Sequence, residues 1–476
     1  MTYTGVATKE PASASPTLDL VEWIVTGSKN AISDKARTIG AKSVVDTIAC
    51  MLGALAEPGL NILTRTIRTH PDLPSSLIGF ATAAAPSDAA LINGMAAHML
   101  DLDDGDFVSR AHPSCVILPT LLALGEARRS SGKALLDAFV TGWTVMQTIG
   151  AMVVPEMPKR GYHVTSAVGV IAAAAGAAKL LSFDCKKTAT AMGIAASASA
   201  GIRANFGTDM KPYHAGCAAA AAVRAVELAE AGFTASTSIL EATDGLIAVL
   251  VDKVATGRVR KHVDRLLNGE VRFEDEPPNI KFFAACHCVH AQIEGALKLR
   301  SKIEDLNSIR SIIVEGGTHT ALYMIHSRPV TGLEAKFSME GATAIALVDG
   351  AGGPNQFTDI SINRPEVQKL LRKVTYRTHT RYDEPKFSRM QPGSILIETS
   401  NGVFQEEILD PRGCREHPCT LKDVCEKFAE CANGPLTSAQ ISRAIYLMKG
   451  LPSLANLSEL GQLLRGAAKD SASTSI

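Results

Sequence analysis

The 476-residue chain carries 48 basic and 48 acidic side chains, so its formal charge is zero, and 46% of its residues are hydrophobic but only 5% aromatic. Balanced charge excludes a general pull toward nucleic acid or acidic lipid, so neither is an expected partner. The apolar fraction excludes disorder over most of the chain, and the length suits two to three domains of roughly 150 residues each.

Few rings beside many Ala and Gly residues predict helices packed through small side chains. The opening stretch, MTYTGVATKEPASASPTLDL, has no apolar signal core and reads as a loose arm over residues 1–17. From Leu18 to about Asn268, apolar residues recur at three- and four-residue steps, with Thr17, Ser33 and Ser87 as expected N-caps. Residues 18–276 are therefore expected to be a large helical domain. Two uncharged stretches inside it, Ala138–Pro155 and Val164–Ala178, fall short of the roughly 20 apolar residues of a bilayer span and read as buried helices. No membrane association is expected. Past Pro277 and Pro278 the character changes. IRSIIVEGGTH, KVTYRTH and GSILIETSNGVFQEEIL have the alternating, β-branched look of strands, and EAKFSMEGATAIALVDG and RPEVQKLLRKVT look helical. Residues 277–412 are expected as a smaller α+β domain. Residues 413–466 return to helix and pack most simply on the first domain, and 467–476 are expected to fray. Ten cysteines are too few for a disulfide scaffold and read as reduced thiols of a cytoplasmic protein.

Chemistry concentrates in four places. The run from His98 through Asp101, Asp103, Asp104 and Asp106 to His112 sets carboxylates beside imidazoles, as proton transfer requires. A calcium loop counted from Asp101 fails, because Asp106 stands at its glycine position and His112 at its closing glutamate. Capping aspartates at a helix end are the structural alternative. Lys211, in KPYH with His214, follows a glycine turn and suits a substrate carboxylate; a solvated loop lysine is the bland reading. His163 precedes the Ala-rich helix and reads alone as a structural hydrogen-bonder. Cys286–His290 (CHCVH) suggests zinc, but no second ligand hook follows, so no metal is expected; a cysteine in a cleft near Lys281 is the alternative. No GxGxxG between strand and helix, no Walker lysine and no GxSxG is present, so no nucleotide cofactor is expected.

These residues, with NGMAAHMLDLDD (Asn93–Asp104), HPS (His112–Ser114), NFGTDMKPYHAGCAA (Asn205–Ala219), KFFAACHCVH (Lys281–His290) and EAKFS (Glu334–Ser338), resemble the MmgE/PrpD family nearly end to end. That family includes 2-methylcitrate dehydratase, cis-aconitate decarboxylase and an iminodisuccinate epimerase. The resemblance implies a mainly α protein: a large all-helical domain formed by both chain ends, a smaller α+β lid domain, a homodimer, and a cofactor-free cleft site. It implies Asp101, His112, His163, Lys211 and Tyr323 as catalytic residues, and Lys281, Cys286, Met157, Gly105 and His214 around the substrate. Gly105 stands where the animal decarboxylase has Thr, and Cys286 where it has His. The expected activity is a cofactor-independent lyase on a small di- or tricarboxylate. An epimerase using the same carbanion is the alternative, and a non-catalytic binding or scaffold protein a more distant one.

Overall fold

A computed structural model describes residues 15–27, 32–251, 256–387 and 391–466. Residues 1–14 of the expected arm and the expected tail, 467–476, lie outside the described residues. Helix α1 (Pro16–Glu22) starts two residues before Leu18, because Pro16 takes the first helical position and Ser15 accepts the Leu18 N–H. Thr17 is thus inside the helix, and its hydroxyl binds Glu241. Ser33 does cap α2 (Asp34–Gly53), accepting the Ala36 N–H at 3.0 Å. Ser87 does not cap α3 (Pro86–Met99): Pro86 again opens the helix, and Ala85 stands before it.

Helices α4 (Ser114–Ala127), α5 (Gly132–Val153), α6 (Gly169–Leu180), α7 (Cys185–Ala196) and α8 (Met210–Glu230) complete the central packing. Helix α8 lies along α3, and α6 is wedged among α4, α5 and α8. Small residues permit this. A Cβ on Gly216 of α8 would come 2.3 Å from the Leu91 carbonyl oxygen of α3, so only glycine fits the crossing. Both uncharged stretches are interior: the α5 and α6 side chains from them are largely buried. No single helix among the described residues is long and apolar enough to cross a membrane.

Further along, α9 (Thr256–Leu267) packs on α5, and α10 (His290–Arg300) leads into a four-stranded sheet. Its strands are β1 (Ile309–Gly316), β2 (Val374–Thr378), β3 (Gly393–Thr399) and β4 (Gly402–Ile408), in the order β2-β1-β3-β4. The β1–β2 pair is parallel, with Ile312 opposite Val374; the other two pairs are antiparallel. The strand-like run GSILIETSNGVFQEEIL is a hairpin turning at Ser400–Asn401. Alternation buries Ile312 and Val314 of β1 with Ile395 and Ile397 of β3. Helix α10 lies on β3 and β4, while α11 (Met339–Asp349) packs on α10 and β2.

After the sheet the chain re-enters helix in α12 (Leu421–Ala432), opened by a capping box between Thr420 and Asp423, and α13 (Ser438–Lys449), opened by Thr437 and Gln440. Helix α12 packs on α2. Its buried Lys427 donates to Asp46 of α2 at 2.5 Å, and to the carbonyls of Leu102 and Lys281 at 2.8 Å each. One ammonium thus ties three distant segments together beside the acidic run.

Candidate active site

A cavity of about 330 Å³ is walled by the 101–112 loop, by His163, Phe206 and Lys211, by Cys286–Cys288, and by turns that flank the sheet. Its geometry begins where α3 ends. Asp101 follows that end in the left-handed region, at φ 53°, a conformation costly for a residue with a side chain. Lysines hold it there. Lys211 Nζ lies 2.6 Å from Asp101 Oδ1, and Lys281 Nζ lies 2.8 Å from the Asp101 carbonyl and 3.4 Å from Oδ2. Lys336 donates to the Met99 carbonyl at 3.3 Å. Burial pushes the Asp101 carboxyl up, but Lys211 and Lys281 outweigh it and hold the group well below the usual carboxylate range.

The other carboxyls of the run are engaged by neighbouring groups. Asp103 accepts from His98 Nδ1 at 2.8 Å, Asp104 from the Ser114 hydroxyl at 2.7 Å, and Asp106 from the Ser109 N–H at 2.8 Å and Gln147 at 3.0 Å. Burial holds His98 down at about 4 despite Asp103, so it is neutral and donates through Nδ1. His112 Nδ1 lies 2.9 Å from the Asp104 carbonyl oxygen, which makes Nδ1 the protonated nitrogen and leaves Nε2 as the one with no hydrogen bond among the described residues. The His98 ring is 4.8 Å from His112 and 5.7 Å from His163. Burial first, then the neighbouring His98 and Lys211, pushes His163 well below the usual imidazole value.

His98, Asp101, Asp103 and His112 bring donor atoms within 4.8 Å of one another, close enough for a cation. Two ammonium groups already sit on Asp101, and Asp103 is engaged by His98, so the set fits a proton network and not a divalent ion. The CHCVH run does not converge either. Cys286, His287 and Cys288 line the cavity, whereas His290 turns away, with Nε2 3.1 Å from the Ala285 carbonyl oxygen.

Among the expected site residues, Asp101, Gly105, His112, His163, Lys211, Cys286 and Tyr323 line the cavity. Three do not. Lys281 is fully buried beneath Asp101, so it reaches that residue and not the cavity wall. His214, one turn beyond Lys211 on α8, sits behind His163, with the two Nδ1 atoms 3.4 Å apart. Met157 is wholly buried in the hydrophobic core. Sequence reasoning also missed wall residues. His287 lay inside CHCVH but was weighed only as a zinc ligand. Arg110 and His319 have no motif around them, because turns deliver them to the cavity. Gly105 bears on one of these missed residues: a Cβ there would lie 2.9 Å from His287 Nδ1. The missing side chain at 105 is what admits the imidazole at 287.

The N-terminal domain of the MmgE/PrpD family matches residues 18–257, and its C-terminal domain residues 283–449. The chain belongs to the MmgE/PrpD family. Among curated relatives, cis-aconitate decarboxylase of Homo sapiens is 29% identical over 390 residues, covering 80% of each chain. The cis-aconitate decarboxylase of Aspergillus terreus is 24% identical over 480 residues, covering 96% of this chain and 97% of the relative.

Proposed function

We propose that this chain is a cofactor-independent lyase that decarboxylates or dehydrates a small di- or tricarboxylate beside one of its carboxyl groups. The observation that carries this reading is the Lys211–Asp101–Lys281 arrangement on a wall that also presents His112 and His163. Two ammoniums against one carboxylate leave net positive charge next to the cavity. Lys211, the lysine of the pair that lines the cavity, holds the substrate carboxylate and faces the negative charge that develops on it as the adjacent carbon becomes carbanion-like. Lys281 fixes the Asp101 backbone from below, so the site needs no rearrangement as charge develops.

Proton movement falls to the imidazoles and Tyr323. His163 is neutral in the free protein and so able to accept a proton; a bound carboxylate raises its basicity. His112, with Nδ1 fixed on the Asp104 carbonyl, exchanges protons through Nε2. Burial pushes the Tyr323 phenol up to about 12, so it stays protonated and serves as a donor. In decarboxylation the C–C bond to the departing carboxylate breaks, its electron pair stays on carbon, and a donor protonates that carbon. In dehydration a base takes the C–H proton, and the hydroxide leaves with a proton from the opposite group. The cis-aconitate decarboxylases similar to this chain support the first branch.

Epimerisation is the second reading, favoured by donors on both the helical side (His163) and the sheet side (Tyr323) of the cavity. The test is incubation of purified protein with citrate, 2-methylcitrate, cis-aconitate and iminodisuccinate, each followed by mass spectrometry. Loss of carbon dioxide or water from one of them, abolished by Lys211→Ala, is the expected result. All four unchanged in mass would remove the lyase reading.

A further inference from the structure

Two cavity residues play no part in the chemistry above. Arg110 lies at the rim in the left-handed region, at φ 54°, in a turn closed by paired backbone hydrogen bonds between Asp106 and Ala111. Its guanidinium has no hydrogen bond or ion pair among the described residues. His319, on the segment after β1, lines the same cavity, and both its ring nitrogens are buried without a partner. Its ring lies tilted against that of Tyr323, with centroids 5.1 Å apart. Burial, then the charges of Arg110 and Arg203, holds His319 down at about 4, so it is neutral and one nitrogen is an N–H donor. Nearby Asp383 is partly engaged, its Oδ1 accepting the Thr318 N–H at 2.8 Å.

We propose that Arg110 and His319 form a second anion subsite that holds a carboxylate remote from the reacting carbon, and that they thereby select substrates by number of carboxyl groups. A guanidinium offers paired donors matched to a carboxylate, and His319 adds a neutral donor beside it. The unused donors of both residues are what such a ligand group would satisfy. The inference deepens the reading of this cavity as a carboxylate site and rests on it.

The test uses inert ligands. Propionate, succinate and propane-1,2,3-tricarboxylate are titrated calorimetrically into wild type, Arg110→Gln and His319→Asn. Wild type is expected to bind the tricarboxylate more tightly than propionate, and each substitution to weaken tricarboxylate binding by about tenfold, the scale of one charge-assisted hydrogen bond, without changing propionate binding. A tricarboxylate preference that survives both substitutions overturns the subsite and leaves the carboxylate reading standing. A wild type that binds none of the three overturns both. Unfolding midpoints are read alongside: the Arg110 side chain makes no hydrogen bond or ion pair among the described residues, so an unfolded Arg110→Gln would also overturn the assignment.

Discussion

The carboxyls between Asp101 and Asp106 divide by what each one touches. Asp103, Asp104 and Asp106 are spent on His98, Ser114, Ser109 and Gln147 and shape the loop. Asp101 faces the cavity but carries two lysines, which makes it an anchor for positive charge and a poor base. Lys211→Ala is therefore expected to lower kcat by roughly 10²–10³, the usual loss on removing one preorganised electrostatic group, with circular dichroism unchanged because Lys281 still pairs Asp101. Activity within a few-fold of wild type would take Lys211 out of the mechanism. Gly105→Thr tests the coupling to His287. The new Cβ meets that ring at 2.9 Å, so the imidazole must move, and stability should fall by about 1–3 kcal/mol with a matching loss of activity. Unchanged activity and unfolding midpoint would show that His287 has another place to go. Lys211 and His112 stood out in the sequence because charged and imidazole groups are conspicuous in an apolar chain, whereas His163 was given a catalytic role only by the family resemblance. Arg110 and His319 did not, since their interest lies in missing partners, and only the fold shows those.

Element by element, periodicity carried most of the fold. The three strand-like runs became β1, β2 and a β3–β4 hairpin, and α12 and α13 fall in the stretch expected to return to helix. Helix ends were misplaced where proline overrode a nearby hydroxyl residue, at Pro16 and Pro86. What α12 does was not legible. Lys427 sits 325 residues from Leu102 in sequence and 2.8 Å from its carbonyl in space. Lys427→Met is expected to destabilise the protein by roughly 3–5 kcal/mol, because Asp46 is left buried without its cation. Adding Asp46→Asn should recover part of that loss in denaturant unfolding. A single-variant cost under about 1 kcal/mol would mean the tie is ornamental.

For the whole molecule, several imidazoles are buried in neutral form. Burial holds His98 down at about 4 and His290 at about 3, against roughly 6.5 when unfolded. With the folded value depressed, the unfolded chain takes up the proton first as pH falls. The stabilisation is complete above about pH 6.5 and is lost on the way down to pH 4, by up to about 3 kcal/mol for His98. Asp101, also depressed, adds to the loss only below its unfolded value near 4. The unfolding midpoint should therefore drop between pH 7 and pH 5; a flat midpoint over that interval would contradict the neutral, buried assignment.

The central claim is that this cavity stabilises a carbanion-like carbon beside a carboxylate as carbon dioxide or water is lost. Proton NMR in heavy water, with wild type and cis-aconitate first, tests it most directly. The account predicts disappearance of the cis-aconitate signals with release of carbon dioxide and deuterium on the carbon that was protonated, or, with citrate or 2-methylcitrate in its place, loss of water. Deuterium exchange with the carbon skeleton intact would contradict the lyase and establish the epimerase chemistry in its place.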